Sequence, residues 1–145
     1  YLGYSTIRIL RNLDNYSKLT SIESNNKFAE IAKEHITISG LSENHELLVG
    51  KTTQVIPTLD EKFDFIFIDH WKDLYLEDLK MLERKKLIKH NAWIFADNVI
   101  LFNLEDYLGY VRSSPNYQSK FISTKREYSK SHPDGIEISI FKDEI

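Results

Sequence analysis

The sequence predicts an α/β fold: a doubly wound sheet, mostly parallel, that ends in a C-terminal antiparallel hairpin. Three observations predict it. Segments with helical spacing alternate with short strand-like runs along most of the chain. Two of the runs, Phe65-Ile66-Phe67-Ile68 and Trp93-Ile94-Phe95-Ala96, are continuously apolar, as a parallel strand covered on both faces requires. Near the end, two strand-like segments flank His132-Pro133-Asp134-Gly135, a turn signal.

The elements follow in order. Ser5 to Leu13 sets Ile7, Leu10 and Leu13 at helical spacing, and Lys18 to Ile22 reads as a short strand ending at Glu23. Asn25 or Asn26 caps a helix carrying Phe28, Ile31, Ala32 and Ile36 on one face, and Gly40 terminates it. Glu46 to Val49 is the next strand, closed by Gly50. A short helix with Val55, Ile56 and Leu59 follows, where Pro57 suits only a first turn or a break. The run ending at Asp69 leads to a helix from about Leu74 to Lys86. The run ending at Asp97 leads to a helix carrying Leu104, Tyr107, Leu108 and Val111, and Lys120 to Tyr128 with Ile136 to Phe141 forms the hairpin.

At 145 residues the chain is expected to be one domain with a single core. Hydrophobic residues at 41% and charged residues at 28% are ordinary globular values, which exclude disorder and fibrous repeats. The net charge of -3 comes from intermixed acids and lysines with no strong basic block, so a small ligand is expected rather than nucleic acid. There is no cysteine, which rules out thiolate nucleophiles, Cys-ligated zinc and disulfides. No apolar run approaches the ~18 residues of a membrane span, so no membrane segment is expected, and a cytoplasmic monomer fits. The chain opens on Tyr1, so an upstream signal or anchor stays open.

Ligands of doubly wound sheets sit at the carboxyl ends of strands, where Glu23, Gly50, Asp69 and Asp97 all fall. If the two apolar strands are parallel neighbours, Asp69 and Asp97 leave the same edge at about the 4.7–4.9 Å strand spacing. Two acids there repel unless something positive lies between them. With Asn98 they form a hard oxygen set suited to Mg²⁺. Lys72, three residues past Asp69, can serve as a general base beside the metal, although most lysines are simply solvated. Glu23 can accept hydrogen bonds from ribose hydroxyls, yet an acid at a strand end is more often a solvated cap. His70 and Trp71 can frame an adenine ring. The opening Tyr1-Leu2-Gly3-Tyr4-Ser5 enters a helix whose free N–H groups can hold a carboxylate or phosphate, without the spacing of a phosphate loop.

Taken together, Asp69-His70-Trp71-Lys72-Asp73, Ala96-Asp97-Asn98-Val99-Ile100 and Tyr1-Leu2-Gly3-Tyr4-Ser5 resemble the catechol O-methyltransferase family. Leu19-Thr20-Ser21-Ile22-Glu23, Val49-Gly50, Ile56-Pro57, Val111-Arg112 and Asp134-Gly135-Ile136-Glu137 fall in family order. The resemblance implies a Rossmann-like class I methyltransferase sheet, S-adenosylmethionine as methyl donor and a Mg²⁺-chelated catechol as acceptor. By position, Asp69, Asp97 and Asn98 bind Mg²⁺, Lys72 takes the proton of the hydroxyl to be methylated, and Glu127 holds the second hydroxyl. On the cofactor side it implies Glu23 on ribose, Ser5 on the methionine carboxylate and Tyr1 near the sulfonium. Gly50, Thr52, His70 and Trp71 form the adenine pocket.

Some positions depart from the family. Thr53 stands where a glutamine is usual, with Gln54 one place later, and Phe102 and Arg126 replace a proline and an apolar residue near the acceptor. The family's N-terminal helices and central first strand would precede Tyr1, so residues 1–145 are expected to be a methyltransferase domain truncated at its N-terminus. The alternatives are a non-catalytic fragment or remnant and an enzyme for a different vicinal-diol aromatic acceptor. A metal-dependent phosphotransfer domain is disfavoured by the missing phosphate loop.

Overall fold

In the computed structural model the described residues are 1–102, 104–125 and 132–142. The chain divides into two compact units, Tyr1–Thr58 and Leu59–Ile145. Among the described residues no helix is long and apolar enough to cross a membrane.

The first unit contains α1 (Tyr4–Leu10), β1 (Leu19–Glu23), α2 (Asn26–Ile38), β2 (His45–Val49) and α3 (Thr52–Val55). β1 and β2 pair in parallel, with Ile22 opposite Leu48 and Glu23 opposite Val49. Of the two candidate caps for α2, Asn25 serves: its side chain accepts from the N–H groups of Lys27 and Phe28. α2 turns Ala29, Ala32 and Ile36 inward. α1 starts from Gly3, with no side-chain cap. Pro57 breaks the short helix after Val55 into a single tight turn, Ile56–Thr58, and Leu59 lies outside it.

The second unit contains β3 (Phe63–Ile68), α4 (Tyr75–Arg84), β4 (Ile88–Ala96), α5 (Glu105–Ser113), β5 (Tyr117–Lys125) and β6 (Pro133–Phe141). The sheet order is β3-β4-β6-β5, parallel between β3 and β4 and antiparallel at both β6 pairings. The α/β reading with a terminal antiparallel hairpin therefore holds. Among the described residues hydrogen bonding nevertheless divides the strands into two sheets, since β1 pairs only with β2 and β3 only with β4.

One face of the four-stranded sheet is buried, with Ile68, Ile94, Ala96, Ser139 and Phe141 inward, and Tyr75, Leu79, Tyr107 and Val111 of the helices are buried as well. Glu137 is also fully buried on this face and takes two hydrogen bonds from Arg112 of α5, at 2.8 and 2.7 Å. Glu83 of α4 accepts from Tyr110 of α5 and Tyr117 of β5, which joins three elements through one carboxylate. The opposite face alternates out of the core. There Phe65 sits opposite Trp93, and Phe65 and Trp93 both stack near Phe95, with ring centres 5.4 and 6.3 Å away.

Several boundaries differ from the sequence reading: α1 ends at Leu10 rather than Leu13, β5 begins at Tyr117 rather than Lys120, and β4 and β6 start earlier than expected. β4 begins at Ile88, five residues before its apolar run, because Lys89, His90 and Asn91 are exposed and conceal the strand. Asn91 takes a left-handed φ of 63°, and the register with β3 shifts between Phe63 and Phe65. β6 takes in Pro133, Asp134 and Gly135, which read as a turn. Proline is admissible as the first residue of a strand. Gly135 is there for close approach, since a Cβ at that position would run into the Phe121 ring of β5.

Candidate active site

β3 and β4 end together. The Asp97 N–H donates to the Ile68 carbonyl at 3.0 Å, one step beyond the Ile68–Ala96 pair, so Asp69 and Asp97 emerge side by side from neighbouring parallel strands. After Asp69 the backbone is extended at Trp71 and then tightens into a single turn, Lys72–Leu74, that leads into α4. This turn carries Lys72 back over the strand ends. Its Nζ donates to Asp69 Oδ1 at 2.9 Å, Asn98 Oδ1 at 3.0 Å and the Tyr75 hydroxyl at 2.6 Å. Tyr75, fully buried, donates its own hydroxyl hydrogen bond to the Asp97 carbonyl at 3.1 Å.

The electrostatics follow from crowding acids into a half-buried corner. Burial pushes the Asp97 carboxyl above its ordinary value, and the charges of Asp69 and Asp134 add to that, against the pull of the Asn98 N–H and Lys72. Burial, then Asp69 and Asp97, push the Tyr75 phenol up, so it stays a neutral donor.

Asn98 has a left-handed φ of 57°, a conformation asparagine tolerates better than most residues. Its N–H is held by Asp97 Oδ1 at 2.8 Å. Its Nδ2 donates to Asp134 Oδ2 at 2.9 Å.

Asp69, Lys72, Asp97 and Asn98 are thus brought together as the sequence suggests. Among the described residues no group of three or more His, Cys, Asp or Glu is arranged as a metal cluster. What the corner holds is two carboxylates and an amide oxygen, with the Lys72 ammonium at the point where Asp69 and Asn98 converge. Hard oxygens converging on a positive charge are the donor chemistry that Mg²⁺ takes, so the residues present fit that ion. An open groove of ≈ 620 Å³ adjoins Lys72, lined also by Leu76, Phe102, Leu104 and Tyr107.

Asp134 was given no site role by the sequence, where it reads as part of a turn and of a segment in family order, yet it is a buried member of this corner. The available signal was its place directly before Gly135, once β6 is extended back to Pro133.

The remaining candidates are placed as follows. His70 Nε2 lies 2.7 Å from Asp78 Oδ2 of α4, close but without hydrogen-bond alignment, while Trp71 is 78% exposed. In the first unit, Glu23 ends β1 and accepts the Asn25 N–H at 2.8 Å. The Gly50 N–H donates to the Glu23 carbonyl at 3.0 Å. The Tyr1 ring packs edge-on against Phe28, and Ser5 is exposed in the first turn of α1. Thr52 opens α3 with a buried Oγ1 that has no partner among the described residues. Glu127 lies outside the described residues.

A family described as a methyltransferase domain matches residues 1–99. Catechol O-methyltransferase B of Danio rerio is 39% identical over 146 residues, covering 97% of this chain and 55% of that protein. The catechol O-methyltransferase of Sus scrofa is 35% identical over 147 residues, covering 98% of this chain and 78% of that protein. The chain thus spans little more than half the length of the zebrafish relative. The crystal structure of the O-methyltransferase TomG from Streptomyces achromogenes, in complex with SAM, superposes with a TM-score of 0.88. That match covers 99% of this chain and 70% of the other at 24% identity, which makes it a likeness of fold. Identity that runs nearly end to end along this chain with two catechol O-methyltransferases settles the kinship: the chain belongs to the catechol O-methyltransferase family.

Proposed function

We propose that this protein moves the methyl group of S-adenosylmethionine to one hydroxyl of a catechol in a Mg²⁺-dependent reaction. The observation that carries the reading is the convergence of Asp69 Oδ1 and Asn98 Oδ1 on the Lys72 ammonium beside Asp97. Asp69, Asp97 and Asn98 hold the metal. When bound, Mg²⁺ supplies positive charge that favours the ionised form of a vicinal diol.

Lys72 Nζ, in its amine form, accepts the proton of the hydroxyl to be methylated and so becomes the ammonium, and Glu127 accepts a hydrogen bond from the other hydroxyl. The oxygen forms its bond to the methyl carbon as the carbon–sulfur bond breaks, and the electron pair of that bond stays on sulfur. Holding donor and acceptor in line is the main contribution expected of the protein. Glu23 takes the ribose hydroxyls, Ser5 the methionine carboxylate and Tyr1 the region of the sulfonium. Gly50, Thr52, His70 and Trp71 each bind adenine, and the Thr52 Oγ1, without a partner among the described residues, supports a ligand contact of its own. The acceptor is a small molecule rather than nucleic acid, and the protein acts as a cytoplasmic monomer.

A second reading, a non-catalytic remnant, is favoured by the division into two sheets, in which β1 and β3 each have one neighbour among the described residues. Calorimetric titration with S-adenosylmethionine, followed by a catechol methylation assay with Mg²⁺ or chelator, separates the two. Binding with metal-dependent turnover supports the first, and absence of cofactor binding removes it.

A further inference from the structure

Asp134 sits at the start of β6 and is 2% exposed, a burial unusual for an aspartate. All its bonding is inward. Oδ2 accepts from Asn98 Nδ2 at 2.9 Å, and Oδ1 accepts from the backbone N–H groups of Gly135 at 2.8 Å and Leu101 at 3.3 Å.

The partner is the decisive point. An ionised carboxylate only accepts, and the Asn98 carboxamide has one accepting and one donating end. Asp134 can therefore meet only the NH₂ end. That leaves the Asn98 oxygen on the opposite side, where it lies 3.0 Å from Lys72 Nζ. Were the amide turned over, two oxygens would face each other at Asp134 and an NH₂ group would face the cation side.

The same carboxylate restrains the chain after Asn98, through Leu101, and the Val99 N–H donates to the Gly135 carbonyl at 3.0 Å. The position of Asp134 is in turn fixed by Gly135, whose missing side chain lets β6 lie against Phe121.

We propose that Asp134 is a positioning residue that fixes the orientation of the Asn98 carboxamide, so that its oxygen faces a divalent cation. This rests on the reading of Asn98 as a metal ligand. An outer partner of this kind orients a ligand without touching the metal, and its loss typically weakens metal affinity by about 10–100-fold.

The test uses the enzyme at its full length and Mn²⁺ as the probe, titrated by electron paramagnetic resonance, with S-adenosylmethionine affinity measured beside it. Asp134→Asn offers one oxygen for the N–H groups that Asp134 serves, so the amide of Asn98 loses its fixed orientation. Mn²⁺ affinity should fall by about 10–100-fold while S-adenosylmethionine affinity stays within a factor of two. The double variant Asn98→Asp with Asp134→Asn keeps the net charge of the pair and rebuilds it in reverse. It should recover most of the lost Mn²⁺ affinity. Full Mn²⁺ affinity in Asp134→Asn overturns the proposal, and so does a swap that binds no better than the single variant. If Asp134→Asn loses cofactor binding through misfolding, the swap alone decides. Failure of the wild-type enzyme to bind Mn²⁺ removes the metal site itself, an outcome distinct from wild-type binding with no effect of Asp134→Asn.

Discussion

The N–H of Asp97 donates to the carbonyl of Ile68 at 3.0 Å, which extends the parallel pairing of β3 and β4 one step past the strands. The bond fixes the spacing of the acids at the two strand ends. Their mutual repulsion is then part of the fold, and the Lys72 ammonium lies in hydrogen-bond contact with Asp69 to offset it.

Chelation should therefore abolish methyl transfer by the full-length enzyme, and Mg²⁺ should restore it. Asp97→Ala should behave as though permanently chelated, with S-adenosylmethionine binding retained. Activity of this variant that is undiminished in chelator would end the metal assignment.

Replacing Lys72 by Ala should lower kcat by roughly 10²–10⁴-fold, the usual worth of a positioned general base. Cofactor affinity should hardly change. Steady-state kinetics beside a cofactor titration make the comparison, and a wild-type kcat would reduce Lys72 to a counter-charge for Asp69.

A pH effect on stability should arise from His45, whose Nε2 lies 2.7 Å from Ser21 Oγ. Burial holds the imidazole below its ordinary value of 6.5, only partly opposed by the charge of Glu46. On acidification the unfolded chain takes the proton first. The stabilisation is fully present above about 6.5 and drains as pH falls from there towards the folded-state value. Melting temperatures of the wild type should drop over that window more steeply than those of His45→Gln. Parallel curves would show that His45 does not carry the effect.

Arg112→Ala should cost about 3 kcal/mol, because it leaves the fully buried Glu137 carboxylate without its counter-ion. Glu137→Gln should cost less, since the remaining Arg112 is half-exposed and can be hydrated. Denaturant midpoints of the two variants give the order, and equal midpoints for Arg112→Ala and wild type would make the pair energetically idle.

Much of the corner was readable in one dimension because its chemistry lies at strand ends, and apolar runs such as Phe65 to Ile68 mark strand ends sharply. Asp69, Asp97 and Asn98 follow from that rule alone. The approach of Lys72 to Asn98 was not readable, since it depends on the turn at Lys72–Leu74 folding back over the sheet. Asp134-Gly135 misled for a physical reason: the residues that tolerate turns also tolerate burial against a neighbouring strand, and sequence does not tell the two apart. The polar start of β4 hid in the same way, because Lys89, His90 and Asn91 belong to a strand end that water reaches. The division into two hydrogen-bonded sheets depends on which strands find partners, a long-range property that local periodicity does not encode.

The two tryptophans sit in contrasting places, Trp71 exposed one residue before Lys72 and Trp93 in an aromatic row on the outer sheet face. Their light emission therefore divides into a voice for the active corner and a voice for the sheet. Trp93→Phe would silence the second and keep a ring in the row. The indole that remains would then report, by quenching or a change of colour, whatever comes to rest beside Lys72, with no dye attached to the protein.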